Sequence, residues 1–104
     1  MNDFRKLEAW QLSKELSLQI YNVTELFPES EKFGLSNQIR RSAISIPSNI
    51  AEGSGRNSKI DFNRFISIAL GSSYELDTQL EIAFELSYIS EENYLKLNER
   101  LSLA

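Results

Sequence analysis

The sequence predicts an all-α protein, an antiparallel up-down-up-down bundle of four helices. Apolar residues recur at intervals of three or four positions along most of the 104 residues, which is the period of a helix buried along one face. No segment alternates apolar and polar residues between turn residues, as a strand would. The segments between the predicted helices are short, and short connections join antiparallel neighbours. We therefore expect one bundle domain over residues 1–104.

The first helix is expected to run from about Asp3 or Phe4 to Leu26 and to close at Phe27-Pro28, because the residue before a proline is pushed out of the helical region. It carries two apolar stripes on roughly opposite sides. The stripe expected to face the core consists of Ala9, Leu12, Leu16, Ile20, Val23 and Phe27. The other stripe consists of Leu7, Trp10, Leu18 and Tyr21.

The second helix is expected to begin between Pro28 and Ser36 and to contain a proline, Pro47. Its apolar stripe, Leu35, Ile39, Ala43, Ile46, Ile50 and Gly53, keeps its phase on both sides of that proline. A proline has no N–H for the carbonyl four residues earlier, and its ring crowds that carbonyl. We therefore predict a kink at Pro47 inside a continuous helix, which ends at Gly53-Ser54-Gly55.

The third and fourth helices have capping signals. Ser58, with Asp61 three residues later, predicts the start of a long third helix that extends to about Ser87. Ser90 is expected to cap the fourth helix, whose first turn holds Glu91 and Glu92 at the positive end of the helix dipole. The expected core stripe of the third helix is Phe62, Phe65, Ile66, Ala69, Ser73, Leu76, Leu80, Ala83 and Phe84.

Two of the predicted helices carry more apolar surface than the core of one bundle can bury. The third helix carries a second, thinner ridge formed by Ile68, Ile82 and Leu86, beside the second stripe of the first helix. Such surface requires either a broad core or cover from a flanking helix or another subunit. The predicted oligomer interface is therefore Leu7, Trp10, Leu18, Tyr21, Ile68, Ile82 and Leu86.

The amino-acid composition limits the kinds of catalysis and metal binding that the protein could support. The chain has no histidine and no cysteine, so the usual general bases, nucleophiles and transition-metal ligands are missing. The row Asp77, Glu81 and Glu85 is interpreted as a solvated face because like charges at that spacing repel. Ser42, Ser45 and Ser48 lack a base, so they are interpreted as packing residues. We predict no catalytic residue, metal, cofactor or small-molecule substrate.

No segment reaches the roughly 20 apolar residues of a membrane span, and the N-terminus leads into an amphipathic helix, so a cytoplasmic location without membrane contact is expected. The net charge of −4 disfavours general nucleic-acid binding. However, residues 36–60 carry a net charge of +3. The four cations of this segment, Arg40, Arg41, Arg56 and Lys59, form the predicted nucleic-acid site.

The same segment carries a recognisable motif. Gln38-Ile39-Arg40-Arg41, followed by Ser45-Ile46-Pro47-Ser48-Asn49-Ile50-Ala51-Glu52-Gly53, resembles the signature of the 23S rRNA-intervening sequence protein family, which are small bacterial four-helix-bundle proteins. Further agreement lies at Ala9-Trp10, Ile20-Tyr21, Thr24, Phe27-Pro28, Gly34-Leu35, Phe62, Phe65, Ile68-Ala69, Gly71-Ser72 and Glu75-Leu76. Members usually carry a longer last helix than this chain, so contacts of that additional length are not carried over.

The resemblance implies a homopentamer and leaves two functions open. The first is a nucleic-acid-associated accessory factor that contacts RNA or a nucleic-acid-processing protein, because the related accessory variability proteins of diversity-generating retroelements are implicated in such binding. The second is a homo-oligomeric protein-interaction scaffold with no direct nucleic-acid binding. The orientation of the four cations separates them. Joint exposure on one rim favours nucleic acid, whereas pairing with Glu52 or other carboxylates favours a structural role.

Overall fold

Four α-helices account for most of residues 3–103, the part of the chain that the computed structural model describes. They are α1 (Glu8–Thr24), α2 (Leu35–Ser54), α3 (Lys59–Glu85) and α4 (Glu91–Leu103). Short 3-10 turns occupy Phe4–Lys6 and Glu29–Glu31. Within residues 3–103 no strand is present. The predicted all-α four-helix bundle is therefore confirmed.

The helices follow one another around the bundle. α1 packs on α2, α2 on α3, and α3 on α4, which returns to α1, whereas the diagonal pairs do not meet. The contact of α2 with α3 is the most extensive, and that of α1 with α2 is second. The 27 residues of α3 span about 40 Å at the α-helical rise. α3 therefore sets the 44 Å length of the molecule.

The core is one cluster to which every helix contributes. Leu16 and Ile20 of α1, Ile39 of α2 and Leu76 of α3 are fully buried, and Leu97 is the main contribution of α4. The other buried apolar residues are Phe27, Ala43, Ile46, Ile50, Ala69, Leu80, Ala83 and Ile89. Burial of a large aliphatic side chain contributes about 1.5–3 kcal/mol. These residues therefore dominate the stability of the fold.

The first helix is shorter than the sequence suggested. Leu7 has an extended backbone (φ −74°, ψ 127°) and separates the 3-10 turn Phe4–Lys6 from α1. The break is stabilised locally, because Asp3 accepts from the backbone N–H of Arg5 and Gln11 Nε2 donates to the Arg5 carbonyl at 2.8 Å. The expectation that the first helix begins at Asp3 or Phe4 was therefore wrong, and α1 ends at Thr24, two residues before the expected Leu26.

Polar residues occupy part of the inner face of α1. Ala9, expected in the core, is exposed, whereas Ser13, Ser17 and Thr24 are buried. Each hydroxyl donates to a carbonyl of its own helix, Thr24 Oγ1 to the Ile20 carbonyl at 2.7 Å for example. Such local bonds remove the cost of burying an unpaired hydroxyl. Small side chains at these positions also let α2 lie close to α1.

Pro47 lies inside α2, and the helix continues on both sides of it. The prediction that the proline does not end the helix is confirmed, whereas a kink there stays a prediction. The carbonyl of Ala43, which Pro47 leaves without its helical N–H, lies 3.2 Å from Ser17 Oγ of α1, whose single hydroxyl proton it shares with the Ser13 carbonyl at 3.0 Å. A neighbouring helix thus supplies the donor that the proline removes.

The predicted helix starts of α3 and α4 are confirmed. Ser58 Oγ accepts from the backbone N–H of Asp61, and Ser90 Oγ accepts from that of Asn93, each at 3.1 Å. At the start of α2 the Glu31 carboxylate caps the helix, since it accepts from the Leu35 N–H at 3.1 Å.

Glu31 also joins two connections at one end of the bundle. Its second oxygen accepts from the Tyr88 hydroxyl at 2.9 Å, and the Tyr88 ring lies 5.4 Å from the buried Phe27 ring. This hydrogen bond, with burial and the negative charge of Glu31, raises the pKa of Tyr88 above its ordinary value. The contact therefore ties the connection before α2 to the one between α3 and α4.

We predict that Ser17→Ala lowers the free energy of unfolding by about 1–2 kcal/mol, because the buried Ala43 carbonyl loses its donor. In a Pro47→Ala background the new N–H at position 47 can serve that carbonyl, so the same change should cost clearly less. Urea unfolding of the four variants at one protein concentration measures the coupling. Ser73→Ala, which removes an exposed hydroxyl bonded within its own helix, is the control. Equal costs in both backgrounds would contradict this role of Ser17.

Candidate functional site

A polar groove lies where the signature segment of α2 meets α3. Ser45 stands at its centre, because its hydroxyl oxygen lies 2.8 Å from Ser72 Oγ of α3 and 2.9 Å from Asn49 Nδ2. Asn49 Nδ2 also donates to the Ser45 carbonyl at 2.7 Å. One turn earlier, Ser42 Oγ donates to Glu75 Oε1 of α3 at 3.1 Å. The serines thus link the two helices through side-chain hydrogen bonds.

The groove has a volume of 490 Å³ and opens to solvent along α2 and α3. Its lining is almost wholly polar and consists of Gln38, Arg41, Ser42, Ser45, Ser72, Glu75 and Gln79. Gln79 Oε1 is shielded from solvent and has no hydrogen-bond partner among residues 3–102. A buried acceptor without a donor is uncommon in a folded protein. The groove therefore offers the charges of Arg41 and Glu75 to a partner, whereas the Gln79 oxygen is shielded from solvent.

The arrangement supplies binding groups without an activated nucleophile. Ser42 contacts a carboxylate but is only 5% exposed, and Ser45 contacts hydroxyl and amide groups alone. Over the described part of the chain, no group of three acidic residues could hold a metal ion. What the groove can do is form hydrogen bonds and ion pairs with a surface that covers it.

Arg40 does not face solvent as a nucleic-acid contact would. Its Nε donates to Thr24 Oγ1 at 2.7 Å, and its Nη2 lies 3.4 Å from both the Tyr21 carbonyl and Glu25 Oε1. The guanidinium also covers the Tyr21 ring, 4.5 Å from the centroid. Only 26% of the side chain is exposed. Arg40 is therefore a clamp between α1 and α2.

Arg41 points the other way, into the polar groove, and is exposed. Arg56 and Lys59 lie beyond the far end of α2, about 20 Å from Arg41 at the helical rise. There Arg56 pairs with Glu52 at 2.8 Å and covers the Phe65 ring. Both Arg56 and Lys59 line a depression at the start of α3. The structure thus divides the four predicted cations among three places.

The predicted interface residues divide into two groups. Leu7 and Trp10 are partly buried against the core of their own bundle, and Phe4 packs edge-on against Trp10 at 5.2 Å. The other five are exposed: Leu18, Tyr21, Ile68, Ile82 and Leu86. Further exposed apolar residues were not singled out from the sequence: Leu26, Phe33, Ile44, Ile60, Leu70, Tyr74 and Leu95.

Sequence reasoning also missed the α3 side of the groove, where Ser72, Glu75 and Gln79 lie. Their spacing of three and four residues, which matches the turns of one helix face, was the available signal. The row Asp77, Glu81 and Glu85 is exposed, as predicted.

A larger depression than the groove lies elsewhere, between α1 and α4. It has a volume of 630 Å³ and is lined by Leu12, Gln19, Asn22, Val23, Asn93, Lys96, Leu97, Glu99 and Arg100. The one cation there with an ion pair, Lys96, contacts Glu92 of its own helix at 3.1 Å. No signature residue reaches this depression.

None of the helices formed by the described residues has the length and apolar character that a membrane span requires.

The fold and the groove define a class: a small four-helix bundle whose second helix contains a proline and packs on α3 through serines. Residues 5–103 match the family described as 23S rRNA-intervening sequence protein. The chain belongs to that family. It is also similar to a crystal structure of a protein of unknown function from the S23 ribosomal protein family of Bacteroides thetaiotaomicron VPI-5482. The two are 33% identical with a TM-score of 0.83, over 90% of this chain and 88% of the other. A search of curated proteins gave no match.

We predict that the neighbours Arg40 and Arg41 respond differently to replacement by glutamine. Arg40→Gln should lower the free energy of unfolding by about 1–2 kcal/mol, because it breaks a charged hydrogen bond to the buried Thr24 hydroxyl. Arg41→Gln should change it by less than about 0.5 kcal/mol, because surface substitutions usually do. Thermal and urea unfolding of the two variants measure the difference. An equal loss for both would contradict the assignment of Arg40 as a clamp.

Proposed function

We propose that the protein is a non-catalytic subunit of a closed homo-oligomer, five copies in keeping with its family resemblance, that acts as a protein-interaction scaffold. The observation that carries the proposal is the apolar surface left open on two helices. Leu18 is 56% exposed on α1, and Ile68 and Ile82 are 45% and 46% exposed on α3. Soluble monomers rarely leave contiguous apolar patches uncovered. Other copies of the same chain are the simplest partners that could cover this apolar surface.

The contacts of the cations favour a scaffold over a nucleic-acid site. Arg40 and Arg56 are engaged with Glu25 and Glu52 of their own chain, which is the pairing expected for a structural role. The chain as a whole has a net charge of −4. A single subunit therefore lacks the concentrated positive charge that phosphate binding requires.

The absence of activated groups supports a non-catalytic role. The sequence contains no histidine or cysteine, and the signature serines contact hydroxyl, amide and carboxylate groups that do not combine into a nucleophile with its base. The hydrogen bonds that Ser42 and Ser45 form with α3 account for their place in the groove.

We predict that size exclusion coupled to light scattering at micromolar concentration gives the mass of a closed oligomer, five times the 11.9 kDa of the chain. Leu18→Glu should reduce the mass to that of one chain, because a charge at the centre of an apolar contact is costly to bury. Glu15→Gln on the exposed side of α1 is the control and should leave the mass unchanged. A single-chain mass for the wild type at all concentrations would contradict the proposal.

A second candidate function, nucleic-acid binding by the assembled ring, rests on the two cations that stay open. Arg41 and Lys59 are exposed and take part in none of the four ion pairs found among residues 3–102. If these cations were repeated around a ring, multivalency would supply the affinity for nucleic acid that one subunit lacks. The relation to accessory variability proteins, which the sequence resemblance suggested, points the same way.

If the ring binds single-stranded RNA, the logarithm of affinity should fall with the logarithm of salt by about 0.7 for each phosphate contact. The double variant Arg41→Gln, Lys59→Gln should flatten that slope, whereas Lys6→Gln with Lys32→Gln, the same loss of charge elsewhere, should not. Fluorescence anisotropy with a labelled RNA at four salt concentrations gives the slopes. If the Arg41→Gln, Lys59→Gln variant keeps the wild-type slope, or if the intact oligomer does not bind RNA, nucleic-acid binding through these cations is contradicted. The scaffold function is then the one that remains.

A further inference from the structure

The connection between α1 and α2 displays two large apolar side chains to solvent. Phe33 is 88% exposed, and Leu26, at the beginning of the same connection, is 74% exposed. The Lys32 ammonium lies 5.7 Å from the centroid of the Phe33 ring. Aromatic side chains contribute strongly to contacts between proteins when they are buried there. Phe33 is therefore available as an anchor for another molecule.

The backbone that carries Phe33 is held in place by hydrogen bonds. The Gly34 N–H donates to the Glu31 carbonyl at 3.0 Å. The Glu31 carboxylate accepts from both the Leu35 N–H and the Tyr88 hydroxyl. A Cβ on Gly34 would lie 2.8 Å from Glu31 Oε1, so a glycine is needed for this cap to form. A side chain on a fixed backbone loses little freedom on binding, so Phe33 is preorganised for a contact.

The end of the bundle that displays this phenylalanine is strongly acidic. It consists of residues 25–34 and 85–92, which meet at the hydrogen bond between Glu31 and Tyr88, and is here named the acidic end. The first segment holds three glutamates and one lysine, and the second holds three glutamates and no cation, so their net charge is −5. Glu29 is exposed and takes part in none of the four ion pairs among the described residues. This charge disfavours phosphate-bearing partners and favours a cationic one.

The opposite end of the bundle, where α2 passes into α3, holds a depression of the complementary kind. It has a volume of 490 Å³, which is within the usual range of ligand pockets. Its walls include the apolar Leu7 and Phe62 together with the cations Arg56 and Lys59. Ile60 lies beside it and is 81% exposed. We name this feature the cationic depression.

The two ends complement each other in shape and in charge. Phe33 and Leu26 protrude from one end, whereas the other end is concave and has apolar walls. Residues 52–64, which surround the cationic depression, hold three cations and two anions. Lys59, like Glu29, takes part in none of the ion pairs found in the described part of the chain. A contact between the ends would bury an aromatic anchor and bring unlike charges together.

From these observations, and resting on the proposed homo-oligomer, we infer that the acidic end of one copy docks on the cationic depression of another, so that closed oligomers stack end to end. Phe33 then enters the depression, and Glu29 pairs with Lys59. The apolar surface proposed for the oligomer lies along the sides of α1 and α3, so both ends stay free. In a cyclic ring all subunits point the same way, so one rim displays the acidic ends and the other displays the depressions. A contact between unlike rims does not close, and the stack grows by whole rings.

The size of the ends makes this contact weak for one chain and stronger for a ring. The bundle is 23 by 17 Å across, so one end offers about 400 Å², the product of these extents, against about 800 Å² per partner in a standard interface. Stacked rings repeat the contact at every subunit and gain affinity by multivalency. The pairing of exposed charges is screened by salt. Stacks should therefore form at low salt and separate into single rings at high salt.

Light scattering of the wild type at high protein concentration tests the inference. In low salt the mass should be at least twofold that of the ring, and in roughly 1 M salt, where charges are screened beyond about 3 Å, it should be that of the ring. Phe33→Ala should give the ring mass in both, with an unchanged helical circular dichroism signal. Leu95→Ala, which truncates a 56% exposed leucine on α4, is the matched control and should stack as the wild type does.

Charge reversal tests the pairing of Glu29 with Lys59. Glu29→Lys and Lys59→Glu should each abolish the stacks, because each places like charges at the contact. The double variant, and an equimolar mixture of the two single variants, should stack again because unlike charges then meet. Glu99→Lys, the same change of charge on the exposed surface of α4, should leave stacking unchanged.

Three results overturn the inference and leave the proposed homo-oligomer intact. They are a wild type that keeps the ring mass in low salt, stacks that persist in Phe33→Ala, and a failure of both the double variant and the mixture to restore stacking. The first would mean that a molecule other than this chain covers Phe33. A wild-type protein with the mass of one chain at every salt concentration overturns both proposals.

Discussion

The structure depends on the close approach of α2 to both of its neighbours. On one side the Ala43 carbonyl, deprived of its helical N–H by Pro47, lies within hydrogen-bond distance of Ser17 on α1. On the other side Gly53 leaves no room for a side chain next to Phe65 of α3. A free carbonyl in the core requires a donor, and a glycine contact tolerates no enlargement. Together they fix where α2 lies, and the rest of the bundle is arranged about it.

That constraint explains why the signature segment is rich in small polar residues. Serines let helices approach and also satisfy groups that the approach buries, as the bonds from Ser42 to Glu75 and between Ser45 and Ser72 do. The same close packing leaves a polar groove outside the core, with Arg41 and Glu75 on its walls. It also turns the second apolar surfaces of α1 and α3 toward the two sides of α2. Function is therefore proposed for surfaces that flank the signature and not for a catalytic centre within it.

Much of the fold could be predicted from the sequence, because helix period and capping are local properties. The caps at Ser58 and Ser90 and the continuity of α2 through Pro47 followed from neighbouring residues alone. The break at Leu7 did not, because it depends on Gln11 reaching back to the Arg5 carbonyl. The buried serines of α1 were missed because a hydroxyl bonded to its own helix behaves as a small core residue, which hydropathy does not show.

The candidate site was less predictable, because side-chain partners come from other helices. Consecutive arginines look alike in a sequence, yet Arg40 and Arg41 point to opposite sides of α2, one toward Thr24 of α1 and one into the groove with α3. Charge counted along the chain therefore overstated the basic patch. Of the predicted interface residues, five are exposed, whereas Leu7 and Trp10 contribute partly to the core of their own chain.

The most direct measurement of the central claim, that copies of the chain cover the surfaces beside α2, uses the single tryptophan. Trp10 is the only tryptophan in the sequence and lies on the same side of α1 as the exposed Leu18 and Tyr21. We expect acrylamide to quench its fluorescence less in the assembled protein, and the quenching constant to rise on dilution over the same concentrations at which the mass measured by ultracentrifugation falls. A quenching constant that stays the same while the mass falls would show that the assembly does not cover Trp10 and would contradict the account.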